Sequence, residues 1–258
     1  MIRVKSLSFA YGDHSVLKDV SFHVERGEFL SILGANGVGK STLFRCVLGL
    51  LPGYGGSVFL DGKDIRALPP REMAKLAAYI PQNAASIYNY SVEDIVLMGA
   101  TAGLSRLGSP GKEDRDRASW AMEKVGIGHL RDRCFHHLSG GEKQLAVLAR
   151  ALVQNARILM LDEPTANLDF GNQLLVLTEI RALSREGYTI VQTTHDPERA
   201  YSFSDRILTL KDGSVFRFGS PEEVIVPEVI GAIYGVDVEI ASLYADRVRI
   251  CTPAFLAK

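Results

Sequence analysis

The sequence predicts an α/β fold, with a largely parallel sheet and a helical segment inserted into it. Three observations carry that prediction. An apolar run, Phe29-Leu30-Ser31-Ile32-Leu33, leads through a glycine-rich loop into an amphipathic helix, the strand–loop–helix order of an α/β unit. A second apolar run, Ile158-Leu159-Met160-Leu161, ends in Asp162 and Glu163, as a buried parallel strand does when it delivers polar groups at its carboxyl end. Between Ser91 and about Leu152 the texture changes to helical periodicity with little strand signal.

The bulk properties bound the reading. A chain of 258 residues is long enough for one well-buried α/β domain with a smaller inserted part. Lys and Arg number 29 against 30 Asp and Glu, so no basic excess draws the chain onto nucleic acid or an anionic membrane. No uninterrupted apolar stretch is long enough to span a bilayer. The first residues, MIRVKSLSFAYG, lack the hydrophobic core of a signal peptide. Cys46, Cys134 and Cys251 are scattered, which is neither a disulfide framework nor a metal site, so a reducing cytoplasm is the expectation.

In order, residues 2–8 alternate apolar and polar as a half-exposed strand, and residues 16–24 read as a second. The turn Glu25-Arg26-Gly27-Glu28 leads into the apolar run. Pro52-Gly53-Tyr54-Gly55-Gly56 closes the first helix. A strand over 57–60 ends at the hairpin signal Asp61-Gly62. A short helix follows over 70–77, and then Tyr79-Ile80-Pro81-Gln82. Ser91-Val92-Glu93-Asp94 is a capping-box-like helix start. Residues 101–112, rich in Gly, Ser and Pro, read as a connection, with helices over 113–125 and 139–153. The core resumes at 157 with the second apolar run, a helix over 170–186 and a β-branched strand over 188–194. Residues 205–210 and 213–218 form a hairpin around Lys211-Asp212-Gly213. The tail from Ser220 holds a small helical piece and an alternating stretch, residues 236–240. The expected organisation is an α/β core from 1–84 and 156–218, a helical subdomain over 85–155 and an extension over 219–258.

The loop Gly34-Ala35-Asn36-Gly37-Val38-Gly39-Lys40-Ser41 matches G-x-x-x-x-G-K-[ST] at every fixed position. Glycines open backbone angles closed to other residues, so successive N–H groups can point into one concavity. The helix start adds unpaired N–H groups and a partial positive charge. Lys40 would reach β- and γ-phosphates as a point charge, and Ser41 would offer its hydroxyl to Mg²⁺. Asp162 fits the acid that holds Mg²⁺, directly or through water, and Glu163 can polarise an attacking water. The same pair, placed before Pro164, also reads as a helix N-cap. Leu138-Ser139-Gly140-Gly141-Glu142-Lys143-Gln144 is half of another anion cradle, or a plain N-cap. His136 and His137 are surface or packing residues, with no third ligand spaced for metal.

With these motifs in place, the chain resembles the ATP-binding subunit of an ABC transporter. Gly34 to Ser41 match the Walker A motif, and Ile158 to Glu163 the Walker B motif. Leu138, Ser139, Gly140, Gly141, Glu142 and Gln144 match the signature, with Glu142 where glutamine is also common. Gln82 matches the Q-loop, His195 the switch histidine, Leu168 and Asp169 the D-loop, and Tyr11 the aromatic residue that stacks on adenine. The match runs in the family's order from about residue 1 to 218. Ala35 departs from a common proline, which affects loop stiffness more than chemistry, because the groups needed are backbone N–H.

The resemblance implies a P-loop NTPase core, a RecA-like sheet plus an antiparallel β-subdomain, with the helical subdomain inserted. It implies an ATPase with Glu163, His195, Gln82 and Lys40 as catalytic residues. ATP would be bound by Tyr11 and the loop through Thr42, and Mg²⁺ by Ser41, Gln82 and Asp162. Two copies would pair head to tail, each signature completing the other's site in trans. The implied partners are membrane permease subunits at the cytoplasmic face of the cell membrane and, indirectly, an external substrate-binding protein, with no nucleic acid. Ile87, Tyr88 and Tyr90 would serve either a permease interface or the subdomain core. Stretches 79–82, 91–99, 168–173 and 230–238 further resemble the branch that imports ferric siderophores, haem or cobalamin; zinc, manganese and molybdate importers share them. A soluble ABC-type ATPase acting on DNA or ribosomes is disfavoured by the absence of a long coiled-coil insertion or a second ATPase domain. A nucleotide sensor without turnover would not need Glu163.

Overall fold

The computed structural model describes residues 1–82, 90–103 and 108–256. In chain order its elements are β1 (Ile2–Tyr11), β2 (His14–Val24), β3 (Phe29–Leu33), α1 (Lys40–Val47), β4 (Gly55–Leu60), β5 (Lys63–Asp64), α2 (Pro70–Leu76), β6 (Ala77–Ile80), α3 (Val92–Leu97), α4 (Lys112–Lys124) and α5 (Gly140–Val153). There follow β7 (Ile158–Asp162), α6 (Phe170–Arg185), β8 (Thr189–Thr194), α7 (Pro197–Phe203), β9 (Arg206–Lys211), β10 (Ser214–Gly219), α8 (Pro221–Val224), α9 (Pro227–Tyr234), β11 (Val238–Leu243) and β12 (Val248–Pro253). The chain forms two compact units, Met1–Ala67 with Ser184–Lys258, and Leu68–Leu183. No helix among the described residues is long and apolar enough to cross a membrane.

In the first unit β1 is sandwiched between antiparallel partners, Ile2 lying opposite Val24 of β2 and Leu60 of β4. The alternation read over residues 2–8 changes phase. Ile2 and Val4 point inward, and Leu7 regains the core only because the register shifts between Val4 and Leu7, where Ser6 adopts φ 47. A bulge of this kind lets a strand keep two apolar sets on one face. The second sheet of this unit centres on β3, parallel to β8 on one side and β9 on the other, with β10 closing as a hairpin on β9. Every residue of β3 and of β8 is buried, which is why the first reads as a continuous apolar run. Two polar side chains of these strands bond to each other inside the core. Gln192 Nε2 donates to Ser31 Oγ at 2.9 Å, and Ser31 Oγ lies 2.5 Å from Ser204 Oγ. Phe29 and Phe44 are both fully buried, each contributing roughly 1.5–3 kcal/mol.

The tail of this unit is ordered structure. Val224, Ile225, Val229, Ile230 and Ile233 of the extension pack with Leu33, Ala200, Tyr201 and Ile207 in one apolar cluster. The alternating stretch read at 236–240 becomes β11, paired antiparallel with β12.

In the second unit β6 and β7 run parallel, Tyr79 opposite Met160. Helices α3 and α4 pack on α5, whose buried face carries Leu145, Leu148, Leu152 and Val153. The predicted capping box is present, with Ser91 Oγ accepting from Asp94 N–H and Asp94 Oδ2 accepting from Ser91 N–H. The segment read as a connection from Thr101 begins inside a 3₁₀ turn, Met98–Ala102, closed by Thr101 Oγ1 donating to the Met98 carbonyl. Gln154 Nε2 donates to the Ala74 and Ala77 carbonyls at 2.6 and 3.0 Å, tying the end of α5 to the α2–β6 junction.

Candidate functional site

In the first unit β3 stops at Leu33, and α1 starts at Lys40. Between them Gly37 and Gly39 take φ 81 and 110, the left-handed region that favours glycine. A Cβ on Gly39 would also sit 3.0 Å from Leu17 Cδ2 and 3.3 Å from the Val16 carbonyl, so β2 presses directly on the loop. Gly39 is the N-cap of α1 and brings no side-chain oxygen, and the first turn holds no acid. The positive end of the helix is therefore left for an anion to neutralise. Lys40 is only 5% exposed, and its Nζ donates to the carbonyls of Gly34 at 2.8 Å and Ala35 at 3.2 Å. That folds the ammonium back over its own loop. Asn36, Gly37 and Ser41 are exposed, while Ala35, Val38 and Thr42 are half-buried. A cavity of about 420 Å³ opens beside the loop, lined by His14, Val16, Lys18, Asn36, Gly37 and Lys211. Tyr11 ends β1, is 46% exposed and packs its ring edge-to-face on Phe9 at 4.9 Å.

His195, also in this unit, is exposed immediately after β8. The next residue, Asp196, caps α7 by accepting from Arg199 N–H at 3.0 Å.

In the second unit β7 is buried throughout and delivers Asp162, itself 5% exposed, at its end. Tyr79 OH lies 3.4 Å from Asp162 Oδ2, and Gln82 Nε2 lies 3.4 Å from Glu163 Oε2, both at the long end of hydrogen-bond distance. Glu163 holds φ 47, a left-handed value for a non-glycine residue. No helix starts at this pair, since α6 begins at Phe170, so the N-cap reading of Asp162 and Glu163 falls away.

Ser139 does cap α5. Its Oγ accepts from Glu142 N–H at 3.3 Å, and its N–H donates to Glu142 Oε2 at 2.7 Å. That N–H, together with Arg133 at 3.9 Å, holds the Glu142 carboxyl below its ordinary range. Leu138 is buried, and Ser139 and Gly140 are exposed. Gly141 leaves no room for a side chain, because a Cβ there would lie 2.1 Å from Asn172 Oδ1. Gln144 Nε2 is buried with no hydrogen-bond partner among the described residues. Leu168 lies within reach of Gly140, where a Cβ would meet its Cδ2 at 2.8 Å. Asp169 accepts from Asn172 N–H and Nδ2 at 2.9 and 2.8 Å, bonds that lower its carboxyl pKa and start α6. His136 and His137 are exposed, and no cluster of His, Cys, Asp and Glu suited to a metal occurs among the described residues. Tyr90 is 44% exposed, whereas Ile87 and Tyr88 lie outside the described residues.

Sequence reasoning missed Tyr79, Thr194 and Tyr234 as neighbours of the candidate groups. Only strand register brings Tyr79 to Asp162, and only the packing of the tail brings Tyr234 to His195.

The fold and the loop define a P-loop ATPase cassette. The family model for the ABC transporter matches residues 17–166, and the chain belongs to that family as one of its ATP-binding, ATP-hydrolysing proteins. It is 36% identical over 241 residues to the petrobactin import ATP-binding protein FpuC of Bacillus anthracis, covering 93% of this chain and 89% of that one. It is 32% identical over 258 residues to the iron(3+)-hydroxamate import ATP-binding protein FhuC of Bacillus subtilis strain 168, covering 100% and 96%. Among solved structures it resembles an inward-facing ABC transporter described as of the metal-chelate type, with TM-score 0.86, 29% identity and coverage of 99% and 98%.

Proposed function

We propose that the chain is the motor subunit of an importer for an iron chelate or a related metal complex, acting at the cytoplasmic face of the membrane through permease subunits. The observation that carries the cargo is the relatives themselves. Besides petrobactin and iron(3+)-hydroxamate import proteins, they include the ferric enterobactin transport protein FepC of Escherichia coli strain K12 and a hemin import protein of Gloeobacter violaceus.

The proposed division of labour follows the chemistry of each group. The N–H groups of residues 34–42 cradle the phosphates, and Tyr11 stacks on the base. Lys40 brings its ammonium to the β- and γ-phosphates as a point charge. Ser41, Asp162 and Gln82 offer hard oxygens, the donor set of Mg²⁺, which takes few protein ligands and shares the rest with phosphate. When bound, Mg²⁺ would supply charge neutralisation at the phosphates. Glu163 accepts a proton from the attacking water, and Gln82, just past the end of the neighbouring parallel strand β6, orients that water. His195 contacts the γ-phosphate. Ser139, Gly140 and Gly141, followed by Glu142 and Gln144, complete the site of a second copy in trans, with Leu168 and Asp169 next to them. A homodimer closed by ATP and opened after hydrolysis would drive the permease, and an external binding protein would deliver cargo to it. In this reading residues 1–84 and 156–218 are the ATPase core, 85–155 the signature subdomain and 219–258 an extension.

The test is uptake in a strain lacking the gene, using labelled ferric siderophore, haem, cobalamin, zinc and molybdate. Loss of chelate uptake, restored by the wild-type gene and not by its Glu163→Gln form, is expected. Unchanged chelate uptake with loss of zinc, molybdate, an amino acid or a sugar would overturn the cargo assignment.

A further inference from the structure

The extension beyond the ATPase core grips the segment that carries His195. From α9, Tyr234 OH donates to the His195 carbonyl at 2.8 Å. From β12, Cys251 N–H donates to Glu198 Oε1 at 3.1 Å. Tyr201 OH donates to the Asp246 carbonyl, in the turn between β11 and β12, at 2.5 Å. Residues 195, 198 and 201 thus each engage a different element of the tail. Arg249 locks that tail on itself, its guanidinium forking onto both Asp246 oxygens at 2.7 and 2.8 Å and reaching the Ile225 carbonyl at 2.7 Å.

The first of these bonds has a particular geometry. The peptide joining His195 to Asp196 is held from both ends, because its carbonyl accepts from Tyr234 while its N–H donates to Thr194 Oγ1 at 3.1 Å. A peptide fixed at C=O and N–H cannot rotate without breaking one bond, so the exposed imidazole leaves the backbone in one direction. A single residue, His195, links the end of β8 to the cap of α7, so the setting of this one peptide bears directly on where the imidazole starts.

We propose that Tyr234 is a positioning residue for His195, and that the C-terminal extension is an integral part of the ATPase machinery. This rests on the reading of His195 as the γ-phosphate contact. Tyr234 touches no reacting atom. It acts through the backbone of the residue that does.

The experiment is a steady-state ATPase assay on the full chain and its Tyr234→Phe, His195→Gln and doubly substituted forms, with thermal melts. Removing one neutral hydroxyl donor should lower kcat about three- to tenfold, with KM for ATP and Tm unchanged. On the His195→Gln background the same change should have no further effect. A second readout needs no turnover. In ¹H–¹³C spectra of the full chain, Tyr234→Phe should shift the His195 ring signals and leave those of His14 and His129 in place. Unmoved His195 signals, an unchanged kcat, an equal loss on both backgrounds or a Tm that falls in step with kcat would each overturn the positioning role. Full activity of His195→Gln alone would instead remove the reading of His195 on which it stands.

Discussion

Lys40 shows how one side chain joins structure and chemistry. It is almost fully buried, and its ammonium donates to two carbonyls of its own loop, at 2.8 and 3.2 Å. Phosphate oxygens are stronger partners for an ammonium than neutral carbonyls. Lys40→Ala should lower ATP hydrolysis by about two orders of magnitude, as expected when a charge-assisted contact of about 3 kcal/mol is lost from the transition state. Near-normal phosphate release from the purified variant would contradict the assignment. Glu163 makes a related point through its backbone. Its φ of 47 places a non-glycine residue in a sparsely populated region at the end of a fully buried strand. Such strain persists only where the surroundings fix it.

Among the elements, α5 is proposed to carry two duties from one cap. Ser139 and Glu142 satisfy each other's N–H groups at the helix start, and the same residues head the proposed signature. Ser139→Ala should cost about 1 kcal/mol in urea unfolding. The Glu142 carboxyl is held below its ordinary value of 4.5, chiefly by the Ser139 N–H. A depressed folded-state pKa means the cap's contribution is complete above 4.5 and is lost as the pH falls below it. Unfolding midpoints of the wild type should therefore drop more steeply below pH 4.5 than those of Glu142→Gln. Parallel pH profiles would show that the cap contributes nothing to acid stability.

The whole molecule is proposed to work as a pair. A lone chain carries one complete phosphate loop and one signature, and the signature's exposed Ser139 and Gly140 head a helix already capped by its own serine. Glu163→Gln keeps the size and shape of the side chain and removes the proposed base, so it should bind ATP, stop turning over and accumulate as a dimer. Size-exclusion chromatography with saturating ATP and Mg²⁺ reads this directly. A variant that stays monomeric there would contradict the trans arrangement.

The primary structure determined much of this by itself, because some features are local. The fixed positions of residues 34–41, the apolar runs of β3 and β7, and the boxes at Ser91/Asp94 and Ser139/Glu142 each encode their geometry within a few residues. Turn chemistry, caps and continuous burial act over that range, so they can be read without a fold. Other features depend on distant partners. The bulge at Ser6 follows from β1 satisfying two neighbours at once. The apposition of Tyr79 and Asp162 follows from parallel register across 83 residues. The bond from Tyr234 to the His195 carbonyl follows from a tail that folds back across 39 residues onto α7 through an apolar cluster. No local pattern marks a tyrosine as the donor to a distant carbonyl. Only burial of Val229, Ile230 and Ile233 against Leu33 and Ala200 brings that hydroxyl within reach, so tertiary packing alone decides it.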